Sequence, residues 1–225
     1  MRKALDSWRL FWVLALATSI AISLGLPGTD FHSARGLEPI ILRAVRCALP
    51  WFLVAFTASS LASLWPSRFT RWLRSNRRYF GLAFAFGMGW HLAFVGYSIL
   101  LFGNRLNAKA TALDLIGLFF LLLLTLTSFQ YFARRLSATD WRRLHKAGVY
   151  VIWFLATEIF LGIVRGGADL LHRLFLSLLM LAFLLRVAAW LKRRLPSRTA
   201  AAPELGSARR RAAPPQGATP PSSTL

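Results

Sequence analysis

Acid and sulfur are both scarce in this chain. Of 225 residues, eight are Asp or Glu and one, Cys47, is cysteine. A single cysteine excludes an intramolecular disulfide, a C-x-x-C redox pair and a C-x-x-C-H haem-attachment site, and Cys47 is read as a small apolar residue of a span. Neither G-x-G-x-x-G nor G-x-x-x-x-G-K-[ST] occurs, and Gly87-Met88-Gly89 is only a fragment of the first, set inside an apolar run. A dinucleotide or P-loop domain is therefore excluded. Charged residues make up 16%, against about a quarter in soluble domains.

What is abundant is apolar surface and positive charge. The apolar share is 56%, and 28 Lys and Arg give a net charge of +20. A disordered chain would be far poorer in apolar residues. A nucleic-acid binder could match the charge but has no use for repeated apolar stretches of ~20 residues, the length needed to cross ~30 Å of hydrocarbon. Nucleic acid is set aside as a partner, and membrane lipid takes its place. Six stretches qualify: Trp8–Leu26, Cys47–Trp65, Tyr79–Phe102, Ala112–Phe132, Ala147–Val164 and Leu170–Trp190. The expected fold is all-α and integral to the membrane, a six-transmembrane helix bundle. Arg2 and Lys3 ahead of the first stretch suggest a signal peptide. Its apolar run is too long for a signal core and no A-x-A site follows, so it counts as a span.

Lys and Arg gather in alternate connections. Arg68, Arg71, Arg74, Arg77 and Arg78 follow the second stretch, and Arg134, Arg135, Arg142, Arg143 and Lys146 follow the fourth. The N-terminus and the tail after the sixth stretch are basic as well. The positive-inside rule then puts both termini in the cytoplasm. Residues 1–195 form the six-span domain, and 196–225 read as a disordered Pro/Ala/Arg-rich cytoplasmic tail. Tryptophans at the stretch ends, Trp8, Trp65 and Trp190, read as interface anchors.

An ionisable side chain at membrane depth costs at least ~2.5 kcal/mol on insertion scales, so each needs a reason. His91 lies near the middle of the third stretch. Neutral imidazole there can ligate a metal or haem iron, with Gly87, Gly89 and Gly96 leaving room for a flat ligand. It can equally hydrogen-bond a neighbouring helix while the glycines serve helix packing. His145 sits where the chain enters the fifth stretch and alone reads as a solvated interfacial residue. Glu158 lies thirteen residues further on, ~20 Å along a helix axis, and a carboxyl group at that depth calls for a proton or a cation beside it. His32 and His172 read as interfacial, with His172 sharing the outer half of the membrane with His91 and Glu158. Asp114 reads as an interface charge or helix-start residue.

Arg77-Arg78-Tyr79-Phe80-Gly81-Leu82, followed by His91-Leu92 and Tyr97, resembles the third span of ferric reductase-like transmembrane proteins. Thr127-Ser128, Arg134-Arg135-Leu136 and Trp141-x-x-Leu144-His145 resemble the join between their fourth and fifth spans. The chain is most similar to the haem-binding membrane subunits of bacterial periplasmic methionine sulfoxide reductase systems, over roughly residues 45–190. The resemblance implies b-type haem, one or two, held between the third and fifth spans. It also implies a multi-pass protein of the bacterial inner membrane, a quinone or flavin electron donor and an outer-face reductase partner. His91 matches the histidine of the third span and haem-iron ligand, and His145 the first histidine of the fifth. Glu158 stands where the second is expected, so an outer haem would face Glu158, His172 or water. Thirteen residues turn an ideal helix by ~220°, which does not by itself place His145 and Glu158 on one stripe. On the inner side His145 looks toward Arg77 and Arg78, which could pair with a haem propionate.

Two functions follow. One is a membrane b-type cytochrome-like subunit passing electrons to an outer partner, dependent on a separate donor because no flavin or nicotinamide domain is attached. The other is a cofactor-free paralogue acting as a membrane scaffold or small-solute pathway, motivated by the missing histidine at Glu158.

Overall fold

A computed structural model describes residues 8–103, 108–167 and 169–195, so the tail expected over 196–225 lies outside the described residues. Among them there is no strand. The helices are α1 (Trp8–Ser23), followed by a 3-10 turn (Leu26–Gly28), α2 (Ala34–Leu64), α3 (Arg68–Phe102), α4 (Ala108–Leu126), the single turn α5 (Gln130–Ala133), α6 (Ala138–Arg165) and α7 (Leu170–Arg194). Five are long and apolar enough to cross a membrane: α1 with its following turn, α2, α3, α6 and α7. The architecture is that of an α-helical, multi-pass membrane protein. The described residues from Trp8 to Trp190 belong to one compact unit, and the last turn of α7 with Leu195 to a second.

Three helices start well before the apolar stretches do, because their caps lie out in polar sequence. The Ser33 side chain accepts from the Gly36 backbone N–H at 3.0 Å and opens α2. Ser67 and Thr70 cap α3 reciprocally, each side chain accepting from the other's backbone N–H at 3.1 and 2.9 Å. Ser137 accepts from the Asp140 N–H at 3.1 Å and opens α6. Each cap satisfies N–H groups left without intrahelical partners. The arginines from 68 to 78 and the stretch from Trp141 to Lys146, expected in loops, are therefore helical. The fourth stretch, expected to run unbroken to Phe132, instead ends as a helix at Leu126, and α5 follows a turn. The side chain of Asp114 lies outside the described set.

Lipid tails are as apolar as leucine, so helix association rests on close packing and hydrogen bonds. α2 and α3 form the central pair, and α1 packs across both. A Cβ at Gly87 would stand 2.7 Å from the Ala48 Cβ and 3.3 Å from Thr18 Cγ2. Four tryptophans tie helices together through their indole N–H. Trp51 donates to Thr18 Oγ1 at 2.9 Å and Trp90 to Ser19 Oγ at 3.2 Å, both onto α1. Trp141 donates to the Thr127 carbonyl at 3.1 Å, and Trp153 to the Leu179 carbonyl at 2.9 Å, joining α6 to α7. Trp8, Trp65 and Trp190 are exposed at helix ends, where anchors belong. The phenylalanines divide: Phe52, Phe56, Phe84 and Phe160 are buried among Ile152, Phe175 and Leu179.

Candidate functional site

The two ends of the bundle differ sharply in charge. The Trp8 ring stacks on Phe129 and meets Tyr79 edge-on, both at 6.0 Å. The start of α1, the early part of α3 and the turn after α4 thus share one end, the basic one. A cavity of about 830 Å³ opens there between α2, α3, α4, α6 and α7, within the range of small-molecule sites. Phe52 and Phe56 of α2, Phe84 of α3, Leu121 and Leu124 of α4 and Ile152 of α6 supply its apolar walls.

His145 lines this cavity. It stands two turns into α6 because Ser137 starts that helix early. Its ring stacks on Trp141 with centroids 4.1 Å apart, and Trp141 is itself held by the Thr127 carbonyl. Nδ1 is buried and meets no acceptor in hydrogen-bonding geometry, although the ring approaches the Trp141 backbone one turn back. A buried polar atom left so costs about 1–3 kcal/mol, and the residue that carries it lines a cavity able to hold a ligand.

Among the described residues, seven cations line the same cavity and no carboxylate does. Arg71, Arg74, Arg77 and Arg78 come from α3, and Arg142 and Lys146 from α6. The Arg77 guanidinium donates to Ser59 Oγ at 2.8 Å. That of Arg78 lies 5.9 Å from the Trp8 and Tyr79 rings, with Nε buried and unpartnered. The seventh, Arg186, comes from α7. Its guanidinium sits 4.1 Å from the Phe56 ring and 4.9 Å from that of Tyr150, and its Nε donates to the Phe56 carbonyl at 3.1 Å. Two aromatic faces and a carbonyl lower the cost of a cation inside a span.

The other expected site residues lie elsewhere. His91 is half-buried, and its Nδ1 is 3.3 Å from the Ile41 carbonyl. A carbonyl only accepts, so this nitrogen donates and the ring is turned toward α2. Gly87 is taken up by Ala48, while a Cβ at Gly89 or Gly96 would meet nothing within 4 Å. Glu158 is exposed on α6. His172 is buried and has both ring nitrogens engaged: Nδ1 faces Asp169, and Nε2 accepts from Arg46 Nη2 at 2.7 Å. The His172 hydrogen bond, helped by the Arg46 charge, holds the Asp169 carboxyl below the usual range. His32 is exposed in the first connection. None of His91, Glu158 or His172 lines the cavity. Among the described residues, no three His, Cys, Asp or Glu stand close enough to hold a metal ion.

These residues define a class: an all-helical membrane protein with a basic-rimmed apolar cavity at one end. No family model, curated protein or solved structure matches the chain.

The two regions suit haem differently. At the cavity the donor set is appropriate: an imidazole with an unpartnered buried nitrogen, aromatic walls and cations on the rim for propionates. At the other end it is not. Glu158 is exposed, and His172 has no nitrogen lone pair left for iron.

Proposed function

We propose that this chain is a membrane electron-transfer subunit of the ferric reductase-like kind, holding b-type haem in the basic-rimmed cavity. The observation that carries the reading is His145, an imidazole with a buried unpartnered nitrogen on an aromatic cavity rimmed by cations. His145 would hold the iron, and Arg77 and Arg78 the propionates. The group, when bound, supplies a one-electron carrier. The chain's own residues do the rest. Trp141 fixes the plane of the His145 ring by stacking. Phe52, Phe56 and Phe84 keep water from the inner part. Arg186 places a positive charge on the wall that favours electron-rich occupants.

In this reading α4 is a sixth crossing. Its 19 residues give a rise of ~28 Å, close to the hydrocarbon thickness. Both termini then lie in the cytoplasm of a bacterium, and the cavity opens on the inner face of the inner membrane. A quinone or separate flavin protein would donate electrons, and an outer-face reductase would accept them. The test is the absorption spectrum of detergent-purified protein from a haem-replete host, before and after dithionite. A Soret band is expected in the native protein and in His91→Ala, and its loss in His145→Ala. No band in the native protein refutes the reading. Loss in His91→Ala with retention in His145→Ala moves the haem to the third helix.

A second reading is a cofactor-free scaffold or small-solute pathway, favoured by the exposed Glu158 where the resemblance calls for a histidine. It expects no Soret band, indifference to His91 and sensitivity to Glu158.

A further inference from the structure

Charge arithmetic at the cavity leaves a remainder that haem does not remove. Among the described residues, six rim cations, Arg71, Arg74, Arg77, Arg78, Arg142 and Lys146, line it and no acid does; the two carboxylates of a haem would balance two of them. Asp140, the acid nearest Arg142 in sequence, is bonded to its own helix cap, Ser137, at 2.6 Å. Asp169, which pairs with Arg46 and His172, lies at the opposite end of the bundle.

Arginines in inner connections are often only topology signals, scattered over the membrane surface. These are not scattered. Because α3 starts at Arg68, Arg71, Arg74 and Arg78 fall at i, i+3 and i+7 on one helical face. Arg142 and Lys146 fall at i and i+4 on α6. Both sets border one concavity with apolar walls. Trp65, exposed where α2 passes into α3, is the kind of ring that anchors at a membrane interface.

We infer that the rim of this cavity is a binding site for an anionic phospholipid, its phosphodiester held between the α3 arginines and the Arg142–Lys146 pair. Charge complementarity selects the headgroup, since basic pockets between helices on the inner face collect anionic lipid. Apolar walls select a lipid over a free anion. Arg71 and Arg74, both exposed, supply the outermost contacts. The site goes beyond the haem reading and stands without it, because the rim cations of α3 and α6 border the cavity in either case.

The experiment is native mass spectrometry of the full chain in nonionic detergent, titrated with phosphatidylglycerol, phosphatidylcholine or inorganic phosphate. Phosphatidylglycerol is expected to be retained and phosphatidylcholine not, with inorganic phosphate failing to displace it. The double variant Arg71→Gln, Arg74→Gln should bind the anionic lipid about 25-fold more weakly, about fivefold for each charge removed. Arg35→Gln with Arg165→Gln removes the same charge elsewhere and should leave retention unchanged. Equal retention of the choline lipid, displacement by phosphate, unchanged binding in the Arg71/Arg74 variant, or equal loss in the Arg35/Arg165 variant would overturn the site. Absorbance of the same samples separates the two readings. Lipid retention without a Soret band removes the haem alone; a Soret band without selective retention removes the lipid site alone.

Discussion

Adding one methyl group at Gly87 tests the central helix pair directly. Its Cβ would stand 2.7 Å from the Ala48 Cβ and 3.2 Å from the Ala48 Cα. Neither atom can rotate away, so α2 and α3 must separate by some tenths of an ångström along their most closely packed stretch. Overpacking of this kind costs about 1–3 kcal/mol. The same change removes the backbone penalty of a mid-helix glycine, a gain of about 0.5–1 kcal/mol. Gly89, two residues on, is an internal control, since its Cβ would meet nothing within 4 Å. Both variants share the backbone gain, and the difference between them isolates the steric term. Gly87→Ala should therefore be less stable than Gly89→Ala by about 1–3 kcal/mol, with Gly89→Ala at or slightly above the native protein. Reversible unfolding in mixed micelles, followed by tryptophan fluorescence, reads this out. A difference below about 0.5 kcal/mol would refute the close α2–α3 approach, and with it the packing role given to Gly87.

Trp153→Phe keeps the ring near Phe183 but deletes the N–H to the Leu179 carbonyl, and should cost about 1 kcal/mol in the same unfolding assay. Ser67→Ala removes the cap at the head of α3 and should cost about 0.5–2 kcal/mol, with hydrogen exchange rising first in the turn carrying Arg71. Asp169→Asn should lower stability at neutral pH. The native carboxyl titrates below its ordinary value, so its contribution is present above an unfolded pKa of ~3.9 and fades as pH falls through the lower folded one. The gap between native and variant should hold from pH 7 to about 5 and close in the more acid range; a gap that widens on acidification contradicts the Asp169–His172 pairing.

Membrane character was legible in the sequence because it depends on a one-dimensional quantity, the length of apolar run. Helix ends were not, because hydropathy marks where lipid begins, not where the backbone stops coiling. Ser67-x-x-Thr70 and Ser137-x-x-Asp140 carried the missing signal. Read as caps, they would have placed Arg71, Arg74, Arg78, Arg142 and Lys146 on helical faces rather than in loops. The tryptophans show a similar limit: position along a span identifies an anchor, but only tertiary structure reveals that Trp51, Trp90, Trp141 and Trp153 find acceptors on neighbouring helices. His145 by itself read as an interfacial residue, and only the resemblance gave it a haem role. That Phe52, Phe84 and Leu124 would surround the same space as His145 depends on how five helices meet, which no spacing records. Arg186 falls inside the sixth apolar stretch, and its aromatic partners on α2 and α6 are far away in sequence.

The hydroxyl of Thr18 has a bearing on biogenesis. It donates to the Leu14 carbonyl at 2.8 Å and accepts the indole proton of Trp51. A helix that enters the bilayer first must be self-sufficient, and Thr18 has its donor satisfied within its own helix before α2 emerges. Its lone pair then becomes a docking point for the next hairpin, with Ser19 offering a second to Trp90. Proteolytic loss of α1 would strand two indole protons in hydrocarbon, so the segment that most resembles a disposable leader is the one against which the later helices are aligned.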